Sequence, residues 1–437
     1  MKKLNKMTEG ISVKSKEDIK KYQDGKVPEI LNYVVNNSKF YNKRFRDIDI
    51  KKIKTVEDLE MLPVTTKEDL QKKYPDFICV KKDKIIDYIT TSGTLGNPVT
   101  FVATENDLNR LALNEYLSFL CANGSNQDIY HLMVTLDKRF MAGLAYFLGI
   151  RKMGAGIVRV GPGNPELQFD TINRVAPTVL VTIPSFLIKL IEYAEINNID
   201  LKKTSIKSAI CIGEPIRDKD FNLNKLGQKI VNKWNIKLFS TYASTEMGAA
   251  FTECQQGKGG HLIPEMLIVE FLDENNKPVK KGEMGEITIT NIGVEGMPLV
   301  RFKTGDICYH YTEKCKCGRS SLRIGPIIGR KNQMIKYKGT TLFPQSLYDI
   351  LDDIPGVKNY VVEVDTNSID TDDIIVKIGC DMNIDGFEKN IKDHFRAKLR
   401  VAPSINFMDE KEIDKIQNSD EIRKSKKFID KRKNTFT

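Results

Sequence analysis

The stretch VLVTIPSFLIKLIEYAEI, Val179 to Ile196, changes its period part-way along. Val179-Leu180-Val181-Thr182-Ile183 is a short run of β-branched and apolar residues, too short for a buried helix and closed by Pro184. Proline suits the first position of a helix, where its missing N–H is not needed. The residues that follow place Phe186, Leu187, Leu190, Ile191 and Ala194 at helical spacing. A buried strand running directly into a helix with one apolar face is the unit from which α/β layers are built. Strands and helices alternate in this way from about residue 85 to 300, with Ile85–Ile89 and the alternating Glu286-Ile287-Thr288-Ile289-Thr290 as further strands. The expected fold class is therefore α/β, with a large multi-layer N-terminal body.

The flanks differ. Residues 25–75 read as helical, as in PEILNYVVNNSKFYNKRF and TTKEDLQKKY, where Thr66 and Asp69 have the spacing of a capping box. At the other end, GRKNQMIKYKGTTLFP (Gly329 to Pro344) looks like a boundary. Beyond it, Pro344–Leu351 and Phe387–Leu399 read as helices, and Asn359–Val364, Ile374–Ile378 and Ile405–Phe407 as strands. We expect two domains, 1–329 and 330–437, the second a small α+β unit. The 437 residues are ample for this division.

Composition narrows the function classes. No apolar run is long enough for a transmembrane helix. The N-terminal MKKLNKMTEGISVKSKED has lysines but no apolar core of a signal peptide, so the expected location is cytoplasmic and no membrane partner is expected. Eight cysteines are too sparse for a disulfide scaffold in a chain of this length. The net charge of +10 is spread along the chain, densest at Arg423–Lys427 and Lys431–Lys433. It suits a plain solvated face and also a polyanionic small molecule such as ATP or coenzyme A. With no RNP aromatic motif, zinc-finger spacing or recognition-helix pattern, nucleic acid is not expected as a partner.

One loop has little to pack. TTSGTLGNPVTF, Thr90 to Phe101, follows a strand and offers chiefly backbone N–H groups and hydroxyls, which can cradle an anion. It lacks the lysine of a Walker A loop and the G-x-G-x-x-G of a dinucleotide fingerprint. The chain continues as a strand, so a hairpin of donors is expected rather than a helix N-terminus. The same glycines could also serve only a turn. Read together with YASTEMG (Tyr242–Gly248), RFKTGD (Arg301–Asp306) and IIGRKNQMIKYKG (Ile327–Gly339), the loop resembles the adenylate-forming acyl/aryl-CoA synthetase superfamily. PEILNYVVNNSKFYNKRF, LPVTTKEDLQKKYP, CIGEPIRD, EGMPLVRFKTGD and KSKKFIDKR resemble its phenylacetate–CoA ligase-like branch. The resemblance runs over nearly the whole chain, and the motifs keep the family's order.

The resemblance implies a site. Thr91, Ser92, Gly93, Thr94 and Gly96 would hold the β- and γ-phosphates of ATP. Leu95 stands where the family commonly has a hydroxyl residue, which removes one donor. Gly213, Glu214 and Pro215 would line the adenine site with Tyr242, Ala243 and Ser244. Thr245 would bond the α-phosphate, and Glu246 would coordinate Mg²⁺, a hard cation suited to a carboxylate. Asp306 would accept both ribose hydroxyls, as a carboxylate can, and Arg330 would reach ribose or phosphate. Lys424 would neutralise charge between carboxylate and phosphate, with Lys426 and Lys427 as rivals in register. The small domain is mobile in this family. Its hinge would fall near Lys331-Asn332-Gln333, with Asn332 in place of the acidic or lysine residue of many relatives, and Lys338-Gly339 would turn toward the acceptor thiol. The acid pocket would draw on Lys138, Arg139, Phe140, Met141, Ala142 and Gly143. Arg139 is a departure that fits either a second polar group on the acid or an ordinary surface residue.

Cys254, His261, Cys315 and Cys317 form a second constellation. Soft thiolates with an imidazole fit tetrahedral Zn²⁺, although Cys-x-Cys is tighter than the usual spacing. Some members of the branch carry Cys-x-Cys-Gly-Arg at this point, which here reads Cys315-Lys316-Cys317-Gly318-Arg319. The other reading is four unrelated reduced side chains, and His310 is an alternative ligand. His131, His394 and the remaining cysteines read as core or surface residues.

The function implied is ATP-dependent activation of a carboxylic acid to an acyl-adenylate. Thioester formation follows, typically of an aryl or arylalkyl acid onto coenzyme A. Three alternatives stand beside it: a phosphopantetheine thiol on an acyl carrier protein as acceptor, transfer of AMP to another acceptor, and a non-catalytic nucleotide-binding protein that keeps the fold. A homodimer is the family-level expectation.

Overall fold

The computed structural model describes residues 10–91, 99–366, 372–380, 386–417 and 426–432. Ser92, Gly93, Thr94, Leu95 and Gly96 of the anion loop and Lys424 therefore lie outside the described residues. The chain divides into two compact units. One comprises residues 1–304 and 308–327, the other 305–307 and 328–437. The division passes through one strand, so that Asp306 groups with the second unit rather than with the body.

The first unit opens with α1 (Lys16–Asn37), α2 (Lys39–Arg44) and α3 (Lys67–Phe77). Thr66 caps α3, and both arms of its capping box with Asp69 are formed. β1 (Asp87–Thr90) and β2 (Thr100–Ala103) make the hairpin that flanks the anion loop. β1 begins two residues later than the sequence pattern suggests, because Ile85 ends a 3₁₀ turn over Lys82–Lys84. α4 (Glu105–Cys121) follows, with a complete capping box from Thr104 and Asp107.

The body is then β3 (Ile129–Leu132), α5 (Met141–Met153), β4 (Gly156–Arg159), α6 (Pro165–Val175), β5 (Val179–Thr182), α7 (Pro184–Ile196), β6 (Ser208–Ile212), α8 (Lys225–Lys233) and β7 (Lys237–Ser244). Its five strands pair in parallel in the spatial order β4-β3-β5-β6-β7. β8 (Ala249–Glu253), β9 (Gly260–His261), β13 (His310–Tyr311) and β14 (Arg323–Ile324) extend the sheet antiparallel beyond β7. β5 is buried along its whole length, as expected when helices cover both faces of a parallel sheet. Even in this apolar run the period of two decides the partner. Leu180 packs with Phe169, Leu187, Leu190, Ile191 and Trp234 on one face. Val179 and Val181 pack with Phe119, Tyr146 and Ile150 on the other.

β10 (Leu267–Leu272), β11 (Gly285–Asn291) and β12 (Phe302–Cys308) form an antiparallel layer. The alternation of β11 is real, but its polar side does not face water: every residue of the strand is buried. Glu286 there pairs with Lys303 at 2.9 Å, and the Thr290 hydroxyl accepts from the Arg301 backbone N–H at 2.9 Å.

In the second unit β15 (Gly329–Arg330) pairs with β12 through Asp306–Arg330 and Ile307–Gly329. β16 (Ile335–Tyr337) and β17 (Thr340–Leu342) form a hairpin turned by Lys338 and Gly339 at positive φ. α9 (Pro344–Leu351), β18 (Asn359–Thr366), β19 (Asp372–Gly379), α10 (Phe387–Leu399), β20 (Ser404–Met408), α11 (Glu410–Gln417) and β21 (Phe428–Asp430) complete an α+β unit. Its sheet order is β20-β19-β18-β21. Leu347, Ile350, Val362, Val376, Ile391 and Phe395 are at the centre of its own core. Among the described residues no helix is long and apolar enough to cross a membrane.

Candidate functional site

Parallel strands deliver their loops to one edge. Ile212 pairs with Thr241, so Gly213–Pro215 and the last residues of β7, Tyr242–Ser244, with the turn residues Thr245 and Glu246 that follow, come off neighbouring strands at the carboxyl end of the sheet. The strand order reverses at the β3/β5 pair, and crevices at such a switch point are the usual ligand sites of open α/β sheets. Gly213 has φ +76°. Glu214 is engaged: its carboxylate accepts from the backbone N–H and hydroxyl of Ser185 at 2.8 and 2.9 Å, at the start of α7. The Pro215 carbonyl accepts from the Asn224 amide at 2.8 Å.

Tyr242 is half-buried, its ring 6.1 Å from that of Phe251. After Ala243 the chain turns tightly. The Ser244 hydroxyl accepts from the Met247 N–H at 3.3 Å, and the Gly248 N–H reaches the carbonyls of Ser244 and Thr245 at 3.2 Å. Thr245 and Glu246 are half-buried at the crown of this turn. The Glu246 carboxylate makes no hydrogen bond or ion pair among the described residues, which leaves it available to a cation.

Thr91 is buried and closes the base of the anion loop. Its N–H donates to the Val99 carbonyl, and the Val99 N–H donates to its hydroxyl, both at 3.0 Å. The Thr90 N–H donates to the Arg139 carbonyl at 3.1 Å. Lys138 and Arg139 both sit at φ +57°. Arg139 and Phe140 line a cleft of about 350 Å³ with Ile86, Asp87, Tyr88, Leu108, Leu136 and Leu144. Met141, Ala142 and Gly143 begin α5. A Cβ on Gly143 would lie 1.9 Å from the Thr135 carbonyl oxygen, so only glycine fits there.

In the second unit Asp306 is buried, and its carboxylate accepts from the Arg330 guanidinium at 3.1 Å. Lys331-Asn332-Gln333 is a 3₁₀ turn. Arg432 donates to the Asn332 carbonyl at 3.3 Å and to the Met334 carbonyl at 2.8 Å. Lys427 is occupied elsewhere. Its ammonium donates to the Tyr360 hydroxyl at 3.2 Å and lies 4.7 Å from that ring's centroid. Lys426 is exposed.

Cys254, His261, Cys315 and Cys317 come together, their ligand atoms all within 4.8 Å of one another. Cys254 and Cys315 sulfurs are 3.7 Å apart, and Cys317 Sγ lies 3.5 Å from His261 Nε2. Zn–S bonds of about 2.3 Å and Zn–N bonds of about 2.0 Å at tetrahedral angles put S···S at about 3.8 Å and S···N at about 3.5 Å. The donor set therefore fits zinc in chemistry and in spacing. Hydrogen bonding from Cys254, reinforced by His261 and Arg319, holds the Cys317 thiol far below the usual range, while the same contact pushes Cys254 up. Burial pulls the His261 imidazole down, in the direction of the neutral form a metal needs. Its Nδ1 lies 3.5 Å from the Ser321 hydroxyl. His310 is not in this group; it stacks on Phe271 at 4.3 Å. His131 is fully buried on β3, and its imidazole is pushed down to about 4 by burial.

Sequence reasoning missed the polar stripe inside α4. Asp107, Arg110 and Asn114 are buried on the face toward β8. Asp107 accepts from the N–H groups of Glu295 and Gly296 at 2.8 Å. Arg110 donates to the carbonyls of Ile292, Gly248 and Met266 at 2.7, 2.6 and 2.6 Å. Asn114 accepts from the Ala250 N–H at 3.3 Å. The available signal was weak: the three share helical spacing, but Glu105, Asn106, Asn109, Glu115 and Ser118 of the same helix are polar too.

The AMP-binding enzyme family matches residues 29–296, and the AMP-binding enzyme C-terminal domain matches residues 339–432. The chain belongs to the AMP-binding enzyme family. It is 26% identical over 349 residues to a phenylacetate-coenzyme A ligase of Thermus thermophilus, covering 78% of this chain and 77% of that one. It is 24% identical over 440 residues to a phenylacetate-coenzyme A ligase of Aromatoleum evansii, covering 97% of each. Among solved structures, a 2-hydroxyisobutyryl-CoA ligase in its postadenylation state superposes with a TM-score of 0.83 at 18% identity, over 96% of this chain and 91% of that one. Its likeness is one of fold: a large α/β body followed by a small C-terminal domain. The family assignment agrees with the resemblance carried by the motifs, down to adenylate-forming chemistry as the common property.

Proposed function

We propose that the protein joins a carboxylic acid to a thiol in two steps at the expense of ATP, with an aryl or arylalkyl acid and coenzyme A as substrates. A carboxylate oxygen attacks the α-phosphorus, the bond to the β-phosphate breaks, and pyrophosphate leaves. The thiol sulfur then attacks the acyl carbon, AMP leaves and the thiol proton is released. The observation that carries this reading is the Tyr242–Glu246 turn beside Gly213–Pro215 at the carboxyl edge of the parallel strands, in a chain of this family. The acid class and the thiol are supported by the two phenylacetate-coenzyme A ligases, at 24% and 26% identity.

In this reading Thr91, Ser92, Gly93, Thr94 and Gly96 hold the β- and γ-phosphates, and Leu95 costs one donor. Tyr242, Ala243, Ser244, Gly213, Glu214 and Pro215 form the adenine wall. The Ser185 contact makes Glu214 a rigid part of that wall. Thr245 bonds the α-phosphate. Glu246 would hold Mg²⁺, which supplies neutralisation of the phosphate charge. Asp306 accepts the ribose hydroxyls and Arg330, its present partner, turns to ribose or phosphate. Lys424 stabilises charge as the carboxylate meets the α-phosphorus. Residues 330–437 act as the mobile lid, hinged near Lys331–Gln333. Cys254, His261, Cys315 and Cys317 would hold a structural zinc, since the chemistry requires none.

Carboxylate-dependent ATP–pyrophosphate exchange without coenzyme A tests the first step over a panel of aryl, arylalkyl, fatty and amino acids. Exchange with aryl or arylalkyl acids is expected, and Lys424→Ala should lose it by orders of magnitude while still binding ATP. Silence across the panel in a protein that binds ATP would overturn the reading in favour of a non-catalytic nucleotide-binding protein.

A further inference from the structure

The turn that bears Glu246 is held from beneath by one side chain. Arg110 is buried, and each of its three guanidinium nitrogens donates to a different backbone segment: Gly248, Met266 and Ile292. A buried arginine usually faces a carboxylate. This one is spent on three carbonyls, with contacts at the short end of the range for a charged donor. One contact is to Gly248, the residue that closes the Ser244–Gly248 turn. β8 explains the need. It pairs with β7 through Thr241–Ser244, but with β9 only at Thr252 and Glu253. α4 takes over the unpaired part, with Arg110 on the Gly248 carbonyl and Asn114 on the Ala250 N–H. Asn291 adds a second tie, its amide donating to the Met247 carbonyl at 2.9 Å. Gly248 lies at φ +53°, and a Cβ there would stand 3.3 Å from Arg110 Nη1. Backbone and guanidinium are thus fitted to each other.

We propose that Arg110 is a positioning residue that sets where Thr245 and Glu246 stand, and so tunes the engagement of Mg·ATP. The inference rests on the adenylation reading of the Tyr242–Gly248 turn. Lysine cannot replace the planar fork on three carbonyls, and misplacing a reacting group by about 1 Å costs on the order of a hundredfold in rate.

The test compares wild type, Arg110→Lys and Asn114→Ala. For Arg110→Lys, ATP–pyrophosphate exchange should fall about a hundredfold, and the Mg²⁺ concentration for half-maximal exchange should rise about tenfold. Asn114→Ala removes a bond of the same helix beyond the turn. It should lower the unfolding midpoint while leaving the Mg²⁺ half-point unchanged. Should Arg110→Lys not fold, Gly248→Ala perturbs the same contact from the turn. Calorimetry with ATP gives a readout independent of the acid: Arg110→Lys should weaken binding about tenfold with Mg²⁺ and leave it unchanged with EDTA. An unshifted Mg²⁺ dependence in Arg110→Lys, or an equal shift in Asn114→Ala, would overturn the proposal and make Arg110 a purely structural tie. Wild-type protein with no exchange but Mg²⁺-dependent ATP binding that Arg110→Lys weakens would sink the ligase reading and leave the positioning role standing.

Discussion

Glu115 offers the sharpest physical test of the body. It is buried between α4 and α5, its carboxyl accepts from the Asn114 amide at 2.9 Å, and a Cβ on Gly149 would lie 2.3 Å from its own Cβ. No cation approaches it among the described residues. Burial pushes the carboxyl up to about 8, against the small opposing effect of the Asn114 bond. A carboxyl whose pKa is raised by folding binds more protons folded than unfolded between the unfolded value of 4.5 and about 8. Its stabilising contribution is complete below 4.5 and is lost as the pH rises through the folded value. The full gap corresponds to about 5 kcal/mol, of which about 2.5 kcal/mol falls between pH ~6 and pH ~9. Glu115→Gln keeps the shape and the acceptor oxygen and removes the titration. Urea unfolding followed through Trp234, the single tryptophan and fully buried in the same unit, reports the difference. Wild type should lose about 2.5 kcal/mol more than the variant over that pH interval. Parallel pH profiles for the two proteins would refute the reasoning, because they would mean that Glu115 is ionised and solvated in the folded state.

Other outcomes follow from single contacts. Arg301 is buried and forked onto Glu270 through Nε and Nη2, while its Nη1 donates to the backbone carbonyls of Leu62 and Glu60. Arg301→Met should cost about 3–5 kcal/mol by stranding Glu270, and Glu270→Gln in the same chain should restore part of it in urea titrations. Metal analysis should find about one zinc per chain, and Cys315→Ser or His261→Ala should lose it and lower the melting temperature without changing which acid supports exchange. Asp306→Ala should raise KM for ATP about 10–100-fold in initial-rate assays, through two lost charge-assisted bonds, with the KM for the acid little affected.

Much of the architecture was legible because it obeys local rules. Pro184 starts α7, Thr66 and Asp69 cap α3, and Phe387–Leu399 has its predicted bounds, since each depends on residues within a few positions. The Cys254, His261, Cys315 and Cys317 group is expected on soft-donor chemistry and the resemblance of Cys315–Arg319, with four unrelated side chains as the other reading, and the four ligand atoms do come within 4.8 Å of one another. What escaped depends on the third dimension. Glu286-Ile287-Thr288-Ile289-Thr290 alternates as a half-exposed strand would. Every residue of the strand is buried, and the adjoining segment of the same sheet supplies the partners, Lys303 to Glu286 and the Arg301 N–H to Thr290.

The same limit separates RFKTGD, which the sequence marks, from α4, which it does not. Asp306 is the charge of the motif to which the resemblance gives a chemical role; Arg301 and Lys303 are committed to Glu270 and Glu286, while Asp306 pairs with Arg330. ENDLNRLALNEYLSFLC shows no motif, yet Asp107, Arg110 and Asn114 each hold backbone of a distant segment. Side chains that bond to backbone leave no signature in the identity of their partners, because every residue carries a carbonyl and nearly every one an N–H. A single chain can therefore reveal groups recognised by chemistry, such as thiolates, carboxylates and hydroxyl-rich loops. A side chain that grips backbone, as these three of α4 do, becomes visible only when the backbone it holds is in view, and Arg110, proposed to aim Thr245 and Glu246, is one of them.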